Sequence, residues 1–480
     1  MNTLTLAGTA LCTLLLSGCA AGPDFVKPDS GLGGAVLVPR PDYAAGVPAT
    51  DAAVPSKWWV LFNDPMLTEL QARAQDGNLD FKIAVERIEQ SRAQLGIAAA
   101  QLLPTVAAGA GFAREALSEH GKLAALGAPS SPSNFWQVGF DAGWEIDLWG
   151  RAQRAREGAA AALEATVYER EAARVALAAE VGRTYLQLRG TQAQLAIARD
   201  NQAVAERILG LTESRRRNGV ATEFEMATAR AQLATTRGMI PKLAERRNSL
   251  LNALALLLGD KPRALDATLG DARDLPPLPA SVPLGVPSAL ARRRPDILRA
   301  EAQVHAATAA IGVAKADFYP RLALKGRFGL EAFDSGDLAS WDSRFFSVGP
   351  TIYLPIFEGG RLKQRLALSE SGQKTAALAY RKTVLQAWHE VDNALDAWAA
   401  GQEQHAELLE ACEQNRQALL AAERGYRNGA ADYLTVLTAQ RNVLASQGAL
   451  NDSTTGLTLA LVNLYKSLGG GWDLQAGDAR

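Results

Sequence analysis

Trp136-Gln137-Val138-Gly139-Phe140-Asp141-Ala142-Gly143-Trp144-Glu145-Ile146-Asp147-Leu148 alternates without a break. The even positions are apolar, from Trp136 and Val138 to Ile146 and Leu148, and the odd ones are Gln137, Gly139, Asp141, Gly143, Glu145 and Asp147. A period of two over about thirteen residues suits a tilted strand with lipid on one face and water on the other. The preceding segment agrees, Val106, Ala108, Ala110 and Phe112 alternating with Thr105, Ala107, Gly109 and Gly111. Further on, Leu322, Leu324, Phe328 and Leu330 oppose Arg321, Lys325, Arg327 and Glu331. Phe346, Val348, Ile352, Leu354 and Ile356 complete the set, although Pro350 and Pro355 remove donors and make that segment a poor central strand. A half-buried soluble sheet would alternate in the same way; the aromatic strand ends and the leader described below favour a membrane barrel. Four strands cannot close one, because membrane barrels need about eight or more and an open edge leaves backbone groups unpaired in hydrocarbon. The chain must therefore pool its strands with other copies of itself.

Around these strands the sequence repeats. Arg217-Asn218-Gly219 recurs as Arg427-Asn428-Gly429, and at the same offset Val138-Gly139 matches Val348-Gly349, Gly150-Arg151 matches Gly360-Arg361, and Thr228-Ala229 matches Thr438-Ala439. One constant offset over so long a stretch marks a duplicated unit. Each copy reads as a helical stretch (Pro65 to Leu102, Ser288 to Phe318) stopped by Pro104 or Pro320, then two strands. A very long helix follows, from Gly150 to Asn218 or Gly360 to Asn428, and a last one from Thr222 to Leu258 or Asp432 to Leu468, ending at Gly259 or Gly469. Each long helix would extend roughly 100 Å, and the two shorter helices of its copy, end to end, match it. Val384, Trp388, Val391, Leu395 and Trp398 run at coiled-coil spacing and define the expected seam. The fold class expected is mainly α with a membrane β-barrel portion, four strands per protomer and a long helical barrel. The expected layout is a signal peptide over 1–18, a leader over 19–60, and structural repeats over 61–280 and 281–480.

The chain has 480 residues and carries 50 Lys+Arg against 51 Asp+Glu, a balance that argues against a nucleic-acid partner. Three cysteines exclude a disulfide framework. Leu4 to Leu16 is apolar but too short to span a bilayer, and leads into Leu16-Ser17-Gly18-Cys19, a lipoprotein cleavage box. Cys19 is the expected lipidation site and Ala20 points to the outer membrane; Cys12 leaves with the signal, so Cys412 remains as the free thiol. The segments Ala116 to Asn134 and Ala332 to Arg344 are expected as extracellular loops. His120, His305, His389 and His405 lack metal-ligand spacing, and the chain has neither a phosphate-cradling loop nor a serine elbow. No catalysis, metal or cofactor is expected.

Certain residues resemble a known family. Gly22-Pro23-Asp24-Phe25 through Pro28, Trp58 through Pro65, Arg293-Arg294-Pro295-Asp296-Ile297, Ile311-Gly312-Val313-Ala314, Phe318-Tyr319-Pro320 and Gly425-Tyr426-Arg427-Asn428-Gly429 are similar to outer-membrane-factor lipoproteins of the TolC superfamily, the NodT-type efflux branch. The resemblance spans essentially the whole chain. It implies a homotrimer with a twelve-stranded barrel in the outer membrane, embedded in its lipid, and a helical tunnel across the periplasm. It further implies partnership with a periplasmic adaptor (membrane fusion) protein and an inner-membrane proton-driven efflux transporter. By motif position Tyr426, Arg441 and Glu225 would link neighbouring helices in a closed gate, with Glu223 and Asp432 supplying charge where Thr435 and Thr438 replace the family's acidic residues. The turns Arg217-Asn218-Gly219 and Arg427-Asn428-Gly429 would dock the adaptor. Multidrug efflux, metal efflux and type I protein secretion share this fold, and a purely structural periplasmic coiled-coil lipoprotein would explain the helices and anchor but not the strands.

Overall fold

The computed structural model describes residues 20–29, 49–50, 52, 54–279, 281–283 and 293–473. The expected signal peptide, Cys12 and Cys19 lie outside the described residues, as does the expected helix start at Ser288. The elements are α1 (Pro65–Gly77), α2 (Leu79–Ala100), β1 (Thr105–Glu115), β2 (Ser133–Ile146), α3 (Arg151–Arg217) and α4 (Glu223–Leu257), followed by α5 (Pro295–Ala316), β3 (Arg321–Ala332), β4 (Arg344–Tyr353), α6 (Arg361–Arg427) and α7 (Tyr433–Ser467). The long helices α3 and α6 have 67 residues each and α4 and α7 have 35 each, so the duplication shows in element length as well as order. Gly219 and Gly429 both sit at φ +75°, and Gly259 and Gly469 at +75° and +74°, the left-handed turns that glycine closes most cheaply.

One expectation fails early. The stretch Pro65 to Leu102 is two helices, broken at Gly77-Asn78. The Asn78 side chain accepts from Phe81 N at 2.9 Å to start α2, while its amide donates to Leu257 O at 2.9 Å. A Cβ on Gly77 would lie 2.0 Å from Leu258 O, so the backbone of the α4 end takes the space a side chain would need.

The chain divides into two compact units. The first comprises residues 1–28, 88–166 and 300–380. Its sheet has the order β1-β2-β3-β4, antiparallel throughout, so the two hairpins of the duplicated units join between β2 and β3. The register places Ala108, Phe140, Phe328 and Phe346 in one row across all four strands. Even-numbered residues thus share one face, on which Phe346 is 77% and Ile352 74% exposed in the single chain. On the other face the Arg327 Nε donates to Asp141 at 2.7 Å. Within the protomer β4, which carries Pro350, is an edge strand, and Pro355 falls beyond the strand's end.

Beneath the sheet, Asp317 is 1% exposed and receives Arg151 at 2.9 Å, Arg321 at 2.6 Å and Arg365 at 3.1 Å. Trp149 and Tyr319 stack at 4.7 Å close by, and the Trp149 indole donates to Pro320 O at 2.7 Å. The leader residues pack here too. Ala21 N donates to Trp149 O at 2.9 Å, and Arg154 binds Asp24 at 2.6 Å. Phe25 stacks on His305 at 4.4 Å. A Cβ on Gly22 would lie 2.5 Å from the Gly312 Cα, so the leader requires glycine on both sides of this crossing.

The second unit comprises residues 29–87, 167–299 and 381–480. Its core gathers Trp58, Phe62, Leu67 and Leu70 with Leu186, Leu254, Leu461 and Tyr465, and Trp58 stacks on Tyr465 at 5.7 Å. The stripe of α6 that is buried here is Val384, Ala387, Val391, Ala394 and Trp398. Trp388 and Leu395 are only half-buried, and Ala387 and Ala394 stand in their place in the buried stripe. Cys412 is buried and free.

Replacing Asp317 by asparagine leaves three guanidinium groups around a neutral amide. Removing one partner of a buried ion cluster costs a few kcal/mol, moderated here by the partial exposure of the arginines, and a loss of roughly 2–3 kcal/mol is expected. A guanidinium titration of the helical circular-dichroism signal measures it; an unshifted midpoint for Asp317→Asn contradicts the role given to this carboxylate.

Candidate functional site at the Asn-Gly turns

The ends of α3 and α6 and the starts of α4 and α7 meet in the second unit. Ile208, Ala229, Ala422, Tyr426, Tyr433, Val436 and Leu437 form a small apolar cluster there, drawn from all four helices. The two Asn-Gly turns are built alike: Val220 N donates to Arg215 O at 2.9 Å, and Ala430 N to Gly425 O at 2.8 Å. Arg217, Asn218, Gly219, Arg427, Asn428 and Gly429 are all exposed.

Each following helix is capped by its own first residues. Thr222 accepts from Glu225 N at 3.2 Å, and the Glu225 carboxylate accepts from Thr222 N at 2.6 Å, a reciprocal capping box. Asp432 accepts from Thr435 N at 2.8 Å and from the Thr435 hydroxyl at 2.6 Å. The Thr435 hydroxyl and amide together hold the Asp432 carboxyl below its ordinary range. Negative charge at both helix starts also suits the helix dipole. Glu223 pairs with Arg216 at 3.2 Å.

At this end, Arg215 and Arg441 tie the duplicated units together. Arg215 lies over the Tyr426 ring, its Cζ 4.2 Å from the centroid, and donates to Tyr426 O at 2.9 Å. Arg441 Nε donates to Gln232 Oε1 at 3.2 Å. Tyr426 and Tyr433 meet edge to face at 6.0 Å. Burial raises the Tyr426 phenol while Arg215 pulls it back. Burial, with Tyr426 and Glu225 nearby, pushes Tyr433 up to about 12, so both rings stay neutral at physiological pH.

The expected residues therefore share one place but not the expected bonds. Tyr426, Arg441 and Glu225 lie in one neighbourhood, yet within the protomer Glu225 is engaged by Thr222 and Arg441 by Gln232. Thr435 serves the Asp432 cap, and Thr438 is exposed. Arg215, Gln232 and Tyr433 were not among the residues singled out by sequence as gate residues. Tyr433 was legible as the first member of the face Tyr433, Val436, Leu437 and Gln440, and Arg215 as the continuation of Ile208 and Thr212, which are buried.

A duplicated chain of long helices, carrying one four-stranded sheet with an apolar face and a capped, cross-tied set of helix ends, defines an outer-membrane channel protomer. The family model for outer membrane efflux proteins matches residues 70–260 and 286–470, and the chain belongs to that family. It is 33% identical to outer membrane protein OprJ of Pseudomonas aeruginosa over 96% of this chain and 95% of OprJ. It is 35% identical to the pyoverdine export outer membrane protein OpmQ of Pseudomonas putida, over 87% and 88% of the two chains. Among solved structures, the outer-membrane channel OprN superposes with a TM-score of 0.87 at 34% identity, covering 95% of this chain and all of that one. The fold is that of the TolC-type channels, and the protein is an efflux channel of the outer membrane. The family is one of channels, not enzymes.

The Asp432 cap has a defined pH response. Because its folded pKa is depressed, its contribution is present above the ordinary carboxylate pKa, near 3.9, and is lost as pH falls through the lower folded value. Amide-exchange protection at Thr435 is expected to hold from neutral pH down to about 4 and to drop below it. In Asp432→Ala that protection should be low at every pH. On the other helix, Thr222→Ala should cost about 1 kcal/mol of local stability at the α4 start.

Proposed function

We propose that the chain is the exit duct of a three-part efflux system, a homotrimer that passively conducts small molecules delivered by an inner-membrane, proton-driven transporter through a periplasmic adaptor. The observation that carries this reading is the four-stranded sheet, with its largely apolar even-numbered face and its two open edges, β1 and β4. Pairing β1 of each protomer with β4 of the next closes twelve strands, and closure is what a lipid-facing sheet requires. The polar odd-numbered face then lines water. Small-molecule cargo is favoured by relatives such as OpmQ, which is named for pyoverdine export.

Residues 1–18 form the signal, and Cys19 carries the lipid anchor at the head of a leader over 19–60. In support, Ala20, the first described residue of the leader, packs against Gly150, just past the end of β2. The repeats 61–280 and 281–480 supply the two halves of each protomer. The exposed turns Arg217-Asn218-Gly219 and Arg427-Asn428-Gly429 dock the adaptor. Tyr426, Arg441 and Glu225, with Glu223, Asp432, Thr435 and Thr438 around them, belong to the gate, which the Arg215–Tyr426 contact holds shut on the protomer's own side.

Purified protein in lipid bilayers tests the reading. Light scattering should give three chain masses, and the wild type a small conductance. Alanine at Tyr426, Arg441 and Glu225 together should raise that conductance several-fold, whereas Thr222→Ala, which disturbs only the cap, should change it little. A monomer without conductance overturns the duct; an unchanged conductance in the triple variant overturns the gate alone. Cys19→Ala should abolish incorporation of labelled palmitate.

A further inference from the structure

On the polar face of the sheet, Gly109, Gly139, Gly329 and Phe345 form a single row across β1, β2, β3 and β4. Three glycines abreast are unusual in strands, where they weaken packing and mark a close approach of backbone or ligand. Two of them are explained within the sheet. A Cβ on Gly329 would lie 2.4 Å from Val138 O and 2.8 Å from the Phe345 ring, and one on Gly139 would lie 2.7 Å from Phe328 O. The Phe345 ring thus lies over Gly329 as a cover. The third is not explained within the protomer: in the single chain nothing stands within 4 Å of the Cβ position at Gly109, or at Gly111 two residues on. The bare backbone there, Gln137, Asp141, Arg327 and the edge of Phe345 line an open niche of about 220 Å³.

Arg327 and Asp141 both line the niche, so an anion's foothold is the part of the guanidinium that Asp141 leaves unused. The Arg327 Cζ is 5.6 Å from the Phe345 centroid. Only its Nε takes part in the bond to Asp141, among the described residues. A guanidinium has five N–H donors, so the terminal fork is left to bind a carboxylate in the bidentate manner that arginine favours. A flat apolar shelf, an aromatic ring at its side and a free guanidinium fork match a flat aromatic ring bearing a carboxylate.

We propose that this niche is a transient binding site for planar aromatic carboxylates in the lumen of the barrel, with Phe345 the stacking residue and Arg327 the anion-binding one. The assignment to the lumen rests on the channel reading above; the niche itself does not. Its volume is below the roughly 300–1,000 Å³ of sites for drug-sized ligands, so it holds one or two fused rings. Affinity is expected on the order of millimolar, since a conduit must release what it binds.

The probe is 2-naphthoate, followed by fluorescence anisotropy on the purified full chain in detergent, with empty micelles as baseline. Wild type should give saturable binding. Cyclohexanecarboxylate, with the same charge and no aromatic face, should compete at least fivefold less well than benzoate. Phe345→Leu and Arg327→Gln should each weaken binding about fivefold or more. Gly111→Val, which fills the open shelf with a residue suited to a strand, should abolish it, and this variant decides the matter if either of the others fails to fold. Equal binding by wild type and Gly111→Val, or equal competition by the two carboxylates, overturns the proposal. Single-channel recording separates this from the channel reading. Brief 2-naphthoate blocks that vanish in Gly111→Val place the site in the conduction path. Conductance without such blocks removes the niche from the lumen, and absence of conductance overturns the channel reading while leaving the anisotropy result intact.

Discussion

Hydrogen-bonding groups along the two free edges of the sheet govern the rest of this structure. β1 has eleven residues and β4 ten, and each presents unpaired N–H and C=O groups along its outer side. In water such an edge is an aggregation risk; in hydrocarbon every unpaired group costs several kcal/mol. No rearrangement within the protomer removes this cost, because the strand order is already β1-β2-β3-β4 and four strands cannot curl far enough to meet. The apolar face makes the constraint binding. A sheet with Phe140, Phe328 and Phe346 in one outward row cannot remain in water, and a sheet with open edges cannot remain alone in lipid. Self-association is thus a requirement of the backbone before it is a property of any side chain.

Holding the sheet in register with the long helices calls for an anchor at its foot. α3 and α6 both begin with arginine and have no acidic residue in their first turns. That arrangement opposes the helix dipole. Asp147, which accepts from Gln153 N at the α3 start, and Glu358, which pairs with Arg361 at the α6 start, supply charge locally. Asp317 adds to both from outside, taking Arg151 at the start of α3, Arg365 near the start of α6, and Arg321 at the start of β3, so that one carboxylate joins two helix starts and a strand. The leader makes a parallel clamp, in which Arg154 of α3 holds Asp24 while Gly22 and Gly312 allow the backbones to cross.

How much of this the sequence discloses varies with the range of the interaction. Strand alternation is local, and the expected strands lie within a few residues of β1 to β4. Pattern over the helices was less informative. Val384, Val391 and Trp398 are buried as expected, but the positions expected at Trp388 and Leu395 lie one residue away, at Ala387 and Ala394, since spacings of three and four both keep a residue on one helix face. The break at Gly77-Asn78 had a local signal, a glycine followed by a capping residue, but its cause is the end of α4, far along the chain. At the turns, Thr222-x-x-Glu225 is a capping box readable from spacing alone. Glu225, expected from motif position as a link between helices, has this nearer partner within the protomer. The contact of Arg215 with Tyr426 spans two repeats, and nothing in a run of three arginines says which one turns inward.

The same offset that reveals the duplication also shows where the two halves part. Arg216 and Glu223 in the first repeat correspond to Tyr426 and Tyr433 in the second. Both pairs meet across their turns, the first as an ion pair at 3.2 Å and the second as an edge-to-face ring contact at 6.0 Å. The backbone has kept one geometry and exchanged the chemistry within it. The ion pair is exposed, so salt screens it and its net worth is about 0–1 kcal/mol. The tyrosines are buried against Ile208, Val436 and Leu437, and each removes a large apolar surface from water, which contributes several times more. Arg215 adds its weight to the same side by lying on Tyr426. At this pair of positions the second repeat is therefore fastened by apolar burial and the first by a contact that ionic strength weakens, while the capping box and the Arg215–Tyr426 tie hold the first turn by other means.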